Sequence, residues 1–380
     1  MKRLSLLIAL VLSLSLPLCG CMETIRLKDR AIVQAVGVDY EDQKFQLTFQ
    51  YFVPSGSGGQ TAFDASELNN NIIRSEGDTI TEAVSEATRK EGKQIFFGSN
   101  KIIVIGKAMA EENLKKAVDY FNANHQLHPS VYLMIAEESA SKIVTAQISR
   151  GIVPASAIEQ VADNAMNHRH MNGGRMVDVV SKLETGHDSV DVPMVKLSQQ
   201  SGKPEVEIDG GALIKKDKMV DTLTEQEIQG IIWFLGKMED ATMTVSLPEK
   251  GSAALEILEC SSRMKPRLEE GRLVFDVKIR CDSALRELIS DEGGDITQEI
   301  VPLVQQMQER KIRQLINLAL NKTLRGHGAD ILRLTDHVKK YLPNYYNEHR
   351  DNLEAMFENS GFNFEIVCNI SRMGLEASGN

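Results

Sequence analysis

The chain has 380 residues, of which 42% are hydrophobic and 25% are charged, and it contains 27 Gly and 10 Pro. This composition excludes a disordered or collagen-like chain, and the length excludes a single small domain. The formal net charge of −10, with no long basic run, argues against nucleic acid as a partner, because duplex binding needs Lys and Arg to neutralise phosphates. Anionic lipid would also repel such a body, so residence at a membrane requires a hydrophobic anchor.

The first 20 residues have the layout of a secretory signal. Lys2 and Arg3 form a positive region, and residues 4–18 form an apolar stretch that small residues follow directly. A membrane-spanning helix needs about 20 apolar residues, whereas this stretch already carries Pro17 near its end. The pattern therefore favours a cleaved signal over a retained membrane span.

This segment ends with Leu18-Cys19-Gly20-Cys21. The tetrapeptide resembles a bacterial lipobox, although Cys19 stands where Ala or Ser is commoner. In a lipobox the last cysteine takes up a diacylglyceryl group, and the thiolate is the nucleophile that this chemistry needs. A metal site would lack further ligands nearby, and a disulfide between the two cysteines would have no reason to follow a signal. The sequence predicts a lipoprotein signal peptide over residues 1–20, cleavage after Gly20 and lipidation of Cys21.

Strands and helices alternate from residue 30 to about residue 137. Apolar residues at period two predict a hairpin around the turn Glu41-Asp42-Gln43-Lys44, and the capping box Thr79-Ile80-Thr81-Glu82 opens a helix. The run from Ile102 to Ile105 is apolar throughout, which predicts a strand that is covered on both faces. A second amphipathic helix is predicted at 111–122.

From Ser139 to about Leu183 the pattern becomes mostly helical. Residues 186–211, rich in Gly, Pro, Ser and Asp, are interpreted as a turn-rich exit from a domain. We therefore expect an N-terminal α+β region at 21–200 and a C-terminal α+β region at 201–380. A small middle domain at 205–250 is left open.

The C-terminal region begins with a strand that ends near Val220, followed by a second capping box at Thr224 and Glu227. The helix after it carries the single tryptophan, Trp233. Two strands are then predicted around the turn Glu269-Glu270-Gly271. Helices are predicted at about 297–324, 330–341 and 345–359, before a closing strand at FNFEIVCNISRMG. The predicted fold class is α+β, multi-domain, with mixed sheets packed with helices after a cleaved lipoprotein signal peptide.

The histidine-rich and glycine-containing segments that could suggest a binding site have structural explanations. His168-Arg169-His170 and the pair His125 and His128 are interpreted as solvated polar segments, because their spacing and neighbours do not supply a zinc ligand set. Phe97-Gly98-Ser99-Asn100-Lys101 lacks the second glycine and the Lys-Ser/Thr pair of a phosphate-binding loop, so a turn is expected. No catalytic, cofactor-binding or metal-binding residue is assigned, and an enzyme is not expected.

Aromatic residues offer two candidate contact surfaces. Trp233 could dock a partner, but a core position on an amphipathic helix is favoured. Tyr345 and Tyr346 are predicted either at an interface or over the ends of the C-terminal helices. Cys260, Cys281 and Cys368 are expected to be buried free thiols, with one disulfide among them left open.

Four ordered blocks of this sequence resemble the Ger(x)C lipoproteins, the C subunits of nutrient germinant receptors in endospores. The blocks are the lipobox with AIVQAVGVD, then TITEAVSEATRKEGKQIFFGSNKIIVIG, then GGALIKKDKMVDTLTEQEIQGIIWFLGKM, and last HVKKYLPNYYNEHRDNLEAMF with FNFEIVCNISRMG. The chain departs from the family at Met22-Glu23, where a Trp-Asp pair is common. It also departs at NHQLHPS, where the family has an aspartate-rich turn, and at GHGADILRL, where the family tends to carry Asp-x-x-Gly-x-Gly.

The resemblance implies a non-enzymatic subunit held by lipid at the outer face of the inner spore membrane. It implies polytopic A and B subunits as partners, in a complex that responds to small nutrients. The alternative is an extracytoplasmic solute-binding lipoprotein that binds the nutrient directly. A cell-envelope hydrolase is disfavoured because the sequence offers no catalytic constellation.

Overall fold

The computed structural model describes residues 26–52, 70–146, 148, 154–184, 188–200, 202–248, 251–289 and 300–373. The predicted signal peptide therefore lies outside the described residues. The fold is α+β, as predicted, with two mixed sheets packed with helices. We call residues 30–223 the first unit and residues 225–373 the second unit.

The first unit is built on a nine-stranded sheet with the order β3-β2-β1-β5-β6-β7-β8-β9, and β4 also pairs with β1. Neighbouring strands run parallel from β1 through β5 and β6 to β7, and β4 is parallel to β1, whereas the remaining neighbours are antiparallel. The strands are β1 (Arg30–Glu41), β2 (Lys44–Phe52), β3 (Asn70–Gly77), β4 (Gln94–Phe96), β5 (Ile102–Ile105), β6 (Tyr132–Ala136), β7 (Ser189–Gln200), β8 (Lys203–Lys215) and β9 (Lys218–Leu223).

Helices cover both faces of this sheet. They are α1 (Ile80–Glu91), α2 (Lys107–Asn122), α3 (Ala140–Thr145), α4 (Pro154–Asn167) and α5 (Met176–Glu184). Ile103 and Ile105 pack with α1, α2 and α5, whereas Ile102 and Val104 pack with α3 and α4. Because successive side chains of a strand point to opposite faces, the unbroken apolar run of β5 fills both layers. The prediction of a doubly covered strand is confirmed.

The interpretation of residues 186–211 as a turn-rich exit was wrong. Residues 189–200 and 203–215 form the two long strands β7 and β8, joined at Gly202. Pro193 lies beside a register shift between these strands, where a residue without an N–H costs no ladder hydrogen bond. Gly210 takes a positive φ of 63°, and a β-carbon there would lie 2.0 Å from the Leu223 oxygen. The proline and glycine residues that suggested a loop therefore lie in strands with irregular pairing, or in the turn between them. The predicted boundary near residue 200 stays a prediction.

The second unit has a four-stranded sheet with the order β10-β11-β12-β13. The first three strands are antiparallel, and β13 is parallel to β12. The long hairpin of β11 and β12 turns at Glu270 and Gly271, as predicted. The strands are β10 (Ala241–Leu247), β11 (Gly251–Glu269), β12 (Arg272–Ile289) and β13 (Gly361–Met373), and the helices are α6 (Glu225–Phe234), α7 (Val301–Leu320), α8 (Leu334–Tyr341), α9 (Pro343–His349) and α10 (Leu353–Glu358).

Two helix predictions in this unit need correction. The helix expected from Asp330 begins at Leu334, because the Asp330 carboxylate accepts hydrogen bonds from the amides of Leu334 and Thr335 at 2.7 and 2.8 Å and so caps the helix from outside. The single helix expected at 345–359 is two helices, α9 and α10. Both capping threonines were predicted correctly, since Thr79 and Thr224 accept from the amides three residues ahead.

Asp221 of β9 ties the first unit to the second. Its carboxylate lies 2.5 Å from the Lys322 ammonium and 2.8 Å from Nε2 of His327, both of which follow α7. Burial acts to raise the pKa of Asp221, but hydrogen bonds from Lys322, the Thr222 amide and His327 outweigh it and lower the pKa to about 2. Ionised Asp221 therefore stabilises the folded chain.

We expect Asp221→Asn to lower the free energy of unfolding at pH 7 by about 1–2 kcal/mol, allowing for screening by solvent at this partly exposed site. The contribution is present above the unfolded pKa of 3.8 and is lost as the pH falls toward 2, so the two chains should converge in acid. Urea unfolding at several pH values measures this difference. Asp240→Asn, at an exposed aspartate, is the control and should change little. A pH-independent difference would contradict the assignment.

Three cysteines form a row across neighbouring strands. Cys260 of β11 is opposite Cys281 of β12, which is opposite Cys368 of β13. All three are free thiols, with Cys281 and Cys368 buried and Cys260 partly buried. Burial and the neighbouring Cys281 raise the pKa of Cys260 to about 12, and the hydrogen bond with Cys281 and burial raise that of Cys368.

We expect these three thiols to resist iodoacetamide at pH 8 in the folded chain, because burial shields Cys281 and Cys368 from the reagent and a raised pKa keeps Cys260 protonated. All three should be alkylated after denaturation without a reductant. Peptide mapping by mass spectrometry measures both states. A peptide pair joined by a disulfide would show that these thiols are not all reduced. Fast labelling of the folded chain would show that they are not protected from the reagent.

Candidate functional site

The predicted anchor residue, Cys21, lies outside the described residues, so its lipidation stays a prediction. The described chain begins with Arg26 and enters β1 at Arg30. Within the described part of the chain, no helix combines the length and the apolar character needed to cross a bilayer.

The histidine segment after α4 lies between the two units rather than only in solvent. Nδ1 of His170 is 2.7 Å from the Glu225 carboxylate at the start of α6, and Arg169 forms an ion pair with Glu239. Its interpretation as a solvated segment was therefore incomplete, because the sequence could not show which carboxylates face it. Across the residues that the structure describes, no three His, Cys, Asp or Glu side chains lie close enough to hold one metal ion.

The remaining histidine and glycine candidates are turn residues. Nδ1 of His128 lies 2.6 Å from the Ser130 hydroxyl, and His125 is a residue of the turn between α2 and β6. The amide of Asn100 donates to the Phe97 carbonyl oxygen at 2.9 Å, which closes the turn between β4 and β5. The turn interpretation of residues 97–101 is confirmed.

Trp233 belongs to the core of the second unit. Its exposed fraction is 1%, and it packs in the same cluster as the sheet and α7. The docking interpretation was wrong for this residue, and the core interpretation is confirmed. Tyr345 and Tyr346 are partly buried against the same core; the Tyr345 hydroxyl donates to the Met356 sulfur, and its ring stacks on His349. Both tyrosines lie within α9, and Tyr345 contacts α10 through Met356.

A cavity of about 220 Å³ lies where the first unit meets the second. The first unit contributes Arg169, Asp178 and Lys182 to its wall, and the second unit contributes Lys237 and Arg333. We call it the inter-unit cavity. It therefore brings four cationic side chains and one carboxylate to a single recess.

The cations of the inter-unit cavity influence one another. Lys237 is exposed as a residue, but partial loss of water around its ammonium lowers its pKa. The positive charges of Lys182 and Arg333 lower it further, and Asp191 and Asp178 act against them. The electrostatic potential that the neighbouring charges create at Lys237 is therefore positive. Sequence reasoning missed the cavity because its wall comes from stretches of the chain that are far apart in sequence, at residues 166–182, 232–237 and 333.

The comparisons with known proteins agree with this architecture. Residues 23–197 match a family described as "Spore germination protein N-terminal domain", and residues 209–374 match one described as "Spore germination B3/GerAC like, C-terminal". The chain belongs to the GerAC family of spore germination proteins. The two matched segments together span almost the whole chain outside the predicted signal.

Relatives of this GerAC-family chain cover nearly its full length. It is similar to spore germination protein B3 of Bacillus subtilis (strain 168), at 23% identity over 94% of this chain and 95% of the relative. It is also similar to spore germination protein KC of the same organism, at 24% identity over 85% and 82%. The crystal structure of the GerBC protein shares the fold, with a TM-score of 0.59 and 20% identity over 88% of this chain and 96% of that one.

Proposed function

We propose that this chain is a non-enzymatic, lipid-anchored subunit of a spore nutrient germinant receptor. In this proposal a diacylglyceryl group on Cys21 holds it at the outer face of the inner spore membrane, where it contacts polytopic A and B subunits. The observation that carries the proposal is the family match across both units, from residue 23 to residue 374. The matched relatives are named for spore germination.

The anchor explains how an acidic chain would stay at a bilayer. Burial of acyl chain is worth about 0.8 kcal/mol per CH₂, and stable attachment needs two chains, which one diacylglyceryl group supplies. The full chain has a formal net charge of −10, and removal of Lys2 and Arg3 with the signal would make the body more negative still, so it would not bind anionic lipid by attraction. The lipobox residues Leu18 to Cys21 supply the thiol at the place where such an anchor is needed.

A second candidate function is direct binding of a small nutrient by this chain. The observation that favours it is the inter-unit cavity, which is lined by charged side chains of both units. This function does not exclude a role in receptor assembly, since the cavity and the anchor are separate parts of the chain.

The experiment is to isolate the chain from spore membranes with mild detergent after cross-linking. The N-terminal peptide should begin at Cys21 with a lipid thioether by mass spectrometry, and polytopic membrane subunits should be joined to the chain. An unmodified Cys21 in the membrane-extracted chain would end the anchor proposal. Recovery of the lipidated chain without any membrane partner would end the proposal that it is a receptor subunit.

A further inference from the structure

The cationic side chains that line the inter-unit cavity outnumber its single carboxylate. Arg169 is paired with Glu239, and the Lys182 ammonium lies 3.1 Å from the Asp191 carboxylate. Within the described part of the chain, no ion pair is formed by Lys237 or Arg333. Lys237 and Arg333, both exposed to solvent and without an ion pair to a described residue, therefore line one recess of a chain whose overall charge is −10.

The backbone at the two arginines determines which substitutions they tolerate. Arg169 has φ 59° and Arg333 has φ 61°, both in the left-handed region that favours glycine. Arg169 occupies the position that closes α4, where the amide of His170 donates to the Ala165 carbonyl at 2.8 Å and Gly is the usual residue. Among the described residues, four of the other non-glycine positions with positive φ are in hairpin turns: Asp42, Gln43, Lys216 and Glu270. Arg169 and Arg333 thus lie at helix ends, and glycine can take the place of either without backbone strain.

The size and the single carboxylate narrow the class of ligand. About 220 Å³ is below the range of roughly 300–1,000 Å³ for sites of drug-sized ligands, so a molecule of a few heavy atoms fits. Arginine and lysine bind carboxylates through charge-assisted hydrogen bonds. Asp178 would repel a second negative charge on the ligand and would accept a hydrogen bond from an amino or hydroxyl group.

We propose that the inter-unit cavity binds a small carboxylate that carries an adjacent amino or hydroxyl group, as amino acids and hydroxy acids do. Lys237 and Arg333 of the second unit hold the carboxylate, and Asp178 of the first unit accepts from the donor group. A ligand held in this way contacts both units and strengthens their association. The inference deepens the second candidate function and does not depend on the anchor.

The test is calorimetric titration of the purified full-length chain in detergent with glycine and with glycolate, at ionic strength held constant with sodium chloride. We expect saturable binding of one molecule per chain. Acetate, which lacks the donor group, should bind at least about five-fold more weakly, and inorganic phosphate should not compete. No saturable binding, or stronger binding of phosphate, would overturn the proposal.

Arg333→Gly is a variant that does not threaten folding, because glycine suits the left-handed backbone there. It should weaken glycine binding by roughly ten-fold or more while the melting temperature stays equal or rises. Lys216→Gly is the matched control: it also replaces a cation at positive φ, 58°, but in the turn between β8 and β9, outside the cavity wall. It should keep binding within about two-fold. Equal losses in both variants would show a general charge effect and overturn the site.

Asp178→Asn tests the other end of the ligand. This variant should lose most of the preference for glycine over acetate while it still binds acetate. An unchanged preference would overturn the role of Asp178. Because these titrations use neither lipid nor partner subunits, their failure would leave the receptor-subunit proposal standing, and the failure of that proposal would leave the cavity result standing.

Discussion

Cys21→Ala should abolish lipid attachment and leave an unprocessed precursor that still carries residues 1–20. In the proposed function the Cys21 thiolate is the nucleophile that takes up the diacylglyceryl group, and alanine offers no nucleophile. Incorporation of labelled palmitate into the chain should therefore fall to background. The measurement is labelling in the sporulating cell, followed by mass spectrometry of the N-terminal peptide.

Cys19→Ala is the matched control for this experiment. It removes the neighbouring thiol and places at position 19 the residue that is commoner in a lipobox, so labelling and cleavage after Gly20 should continue. Palmitate that persists in the Cys21→Ala chain, or that is lost from the Cys19→Ala chain, would assign the lipid to a different residue.

Gly230→Ala should destabilise the second unit, although alanine is the better helix former. In an exposed helix this change would gain up to about 1 kcal/mol. At position 230 a β-carbon would lie 2.1 Å from the Leu315 carbonyl oxygen and 2.9 Å from Cβ of Ala319, because α6 and α7 approach closely there. Rigid backbone has to move, so we expect a loss of roughly 3 kcal/mol or more in the free energy of unfolding.

Trp233 provides the readout for this variant. It is the single tryptophan of the chain and lies in the core of the second unit, so its fluorescence reports the unfolding of that unit in urea. Gln226→Ala, at an exposed position of the same helix, is the control and should be neutral or slightly stabilising. A Gly230→Ala chain as stable as the control would mean that the two helices are not in close contact at this point.

The features that the sequence predicted well depend on residues that are close along the chain. The capping threonines Thr79 and Thr224 and their glutamates are three residues apart, and the hairpin turns at residues 41–44 and 269–271 have strands directly on both sides. The run from Ile102 to Ile105 was also informative, because a strand that is covered on both faces has no polar face. Local patterns of this kind can be recognised without knowledge of the rest of the fold.

The errors come from residues whose environment is set by distant parts of the chain. Pro193, Gly202 and Gly210 are typical of turns, yet here they lie in or between strands whose irregular pairing accommodates them. The inter-unit cavity joins Arg169 to Lys237 and Arg333, which are separated by long stretches of sequence. No periodicity links such positions, so only the folded chain can bring them together.

The place where β1 sits in the first sheet has a mechanical consequence for the proposed anchor. Cys21 precedes Arg30 by nine residues, and Leu27–Asp29 form a short 3₁₀ helix, so the reach is less than the about 30 Å of a fully extended segment. β1 is hydrogen-bonded on one side to β2 and on the other to β4 and β5. Because these bonds run across the strand, a pull from the bilayer along β1 would load many of them at once, in shear. The tether would then transmit force to the middle of the sheet without peeling away an edge.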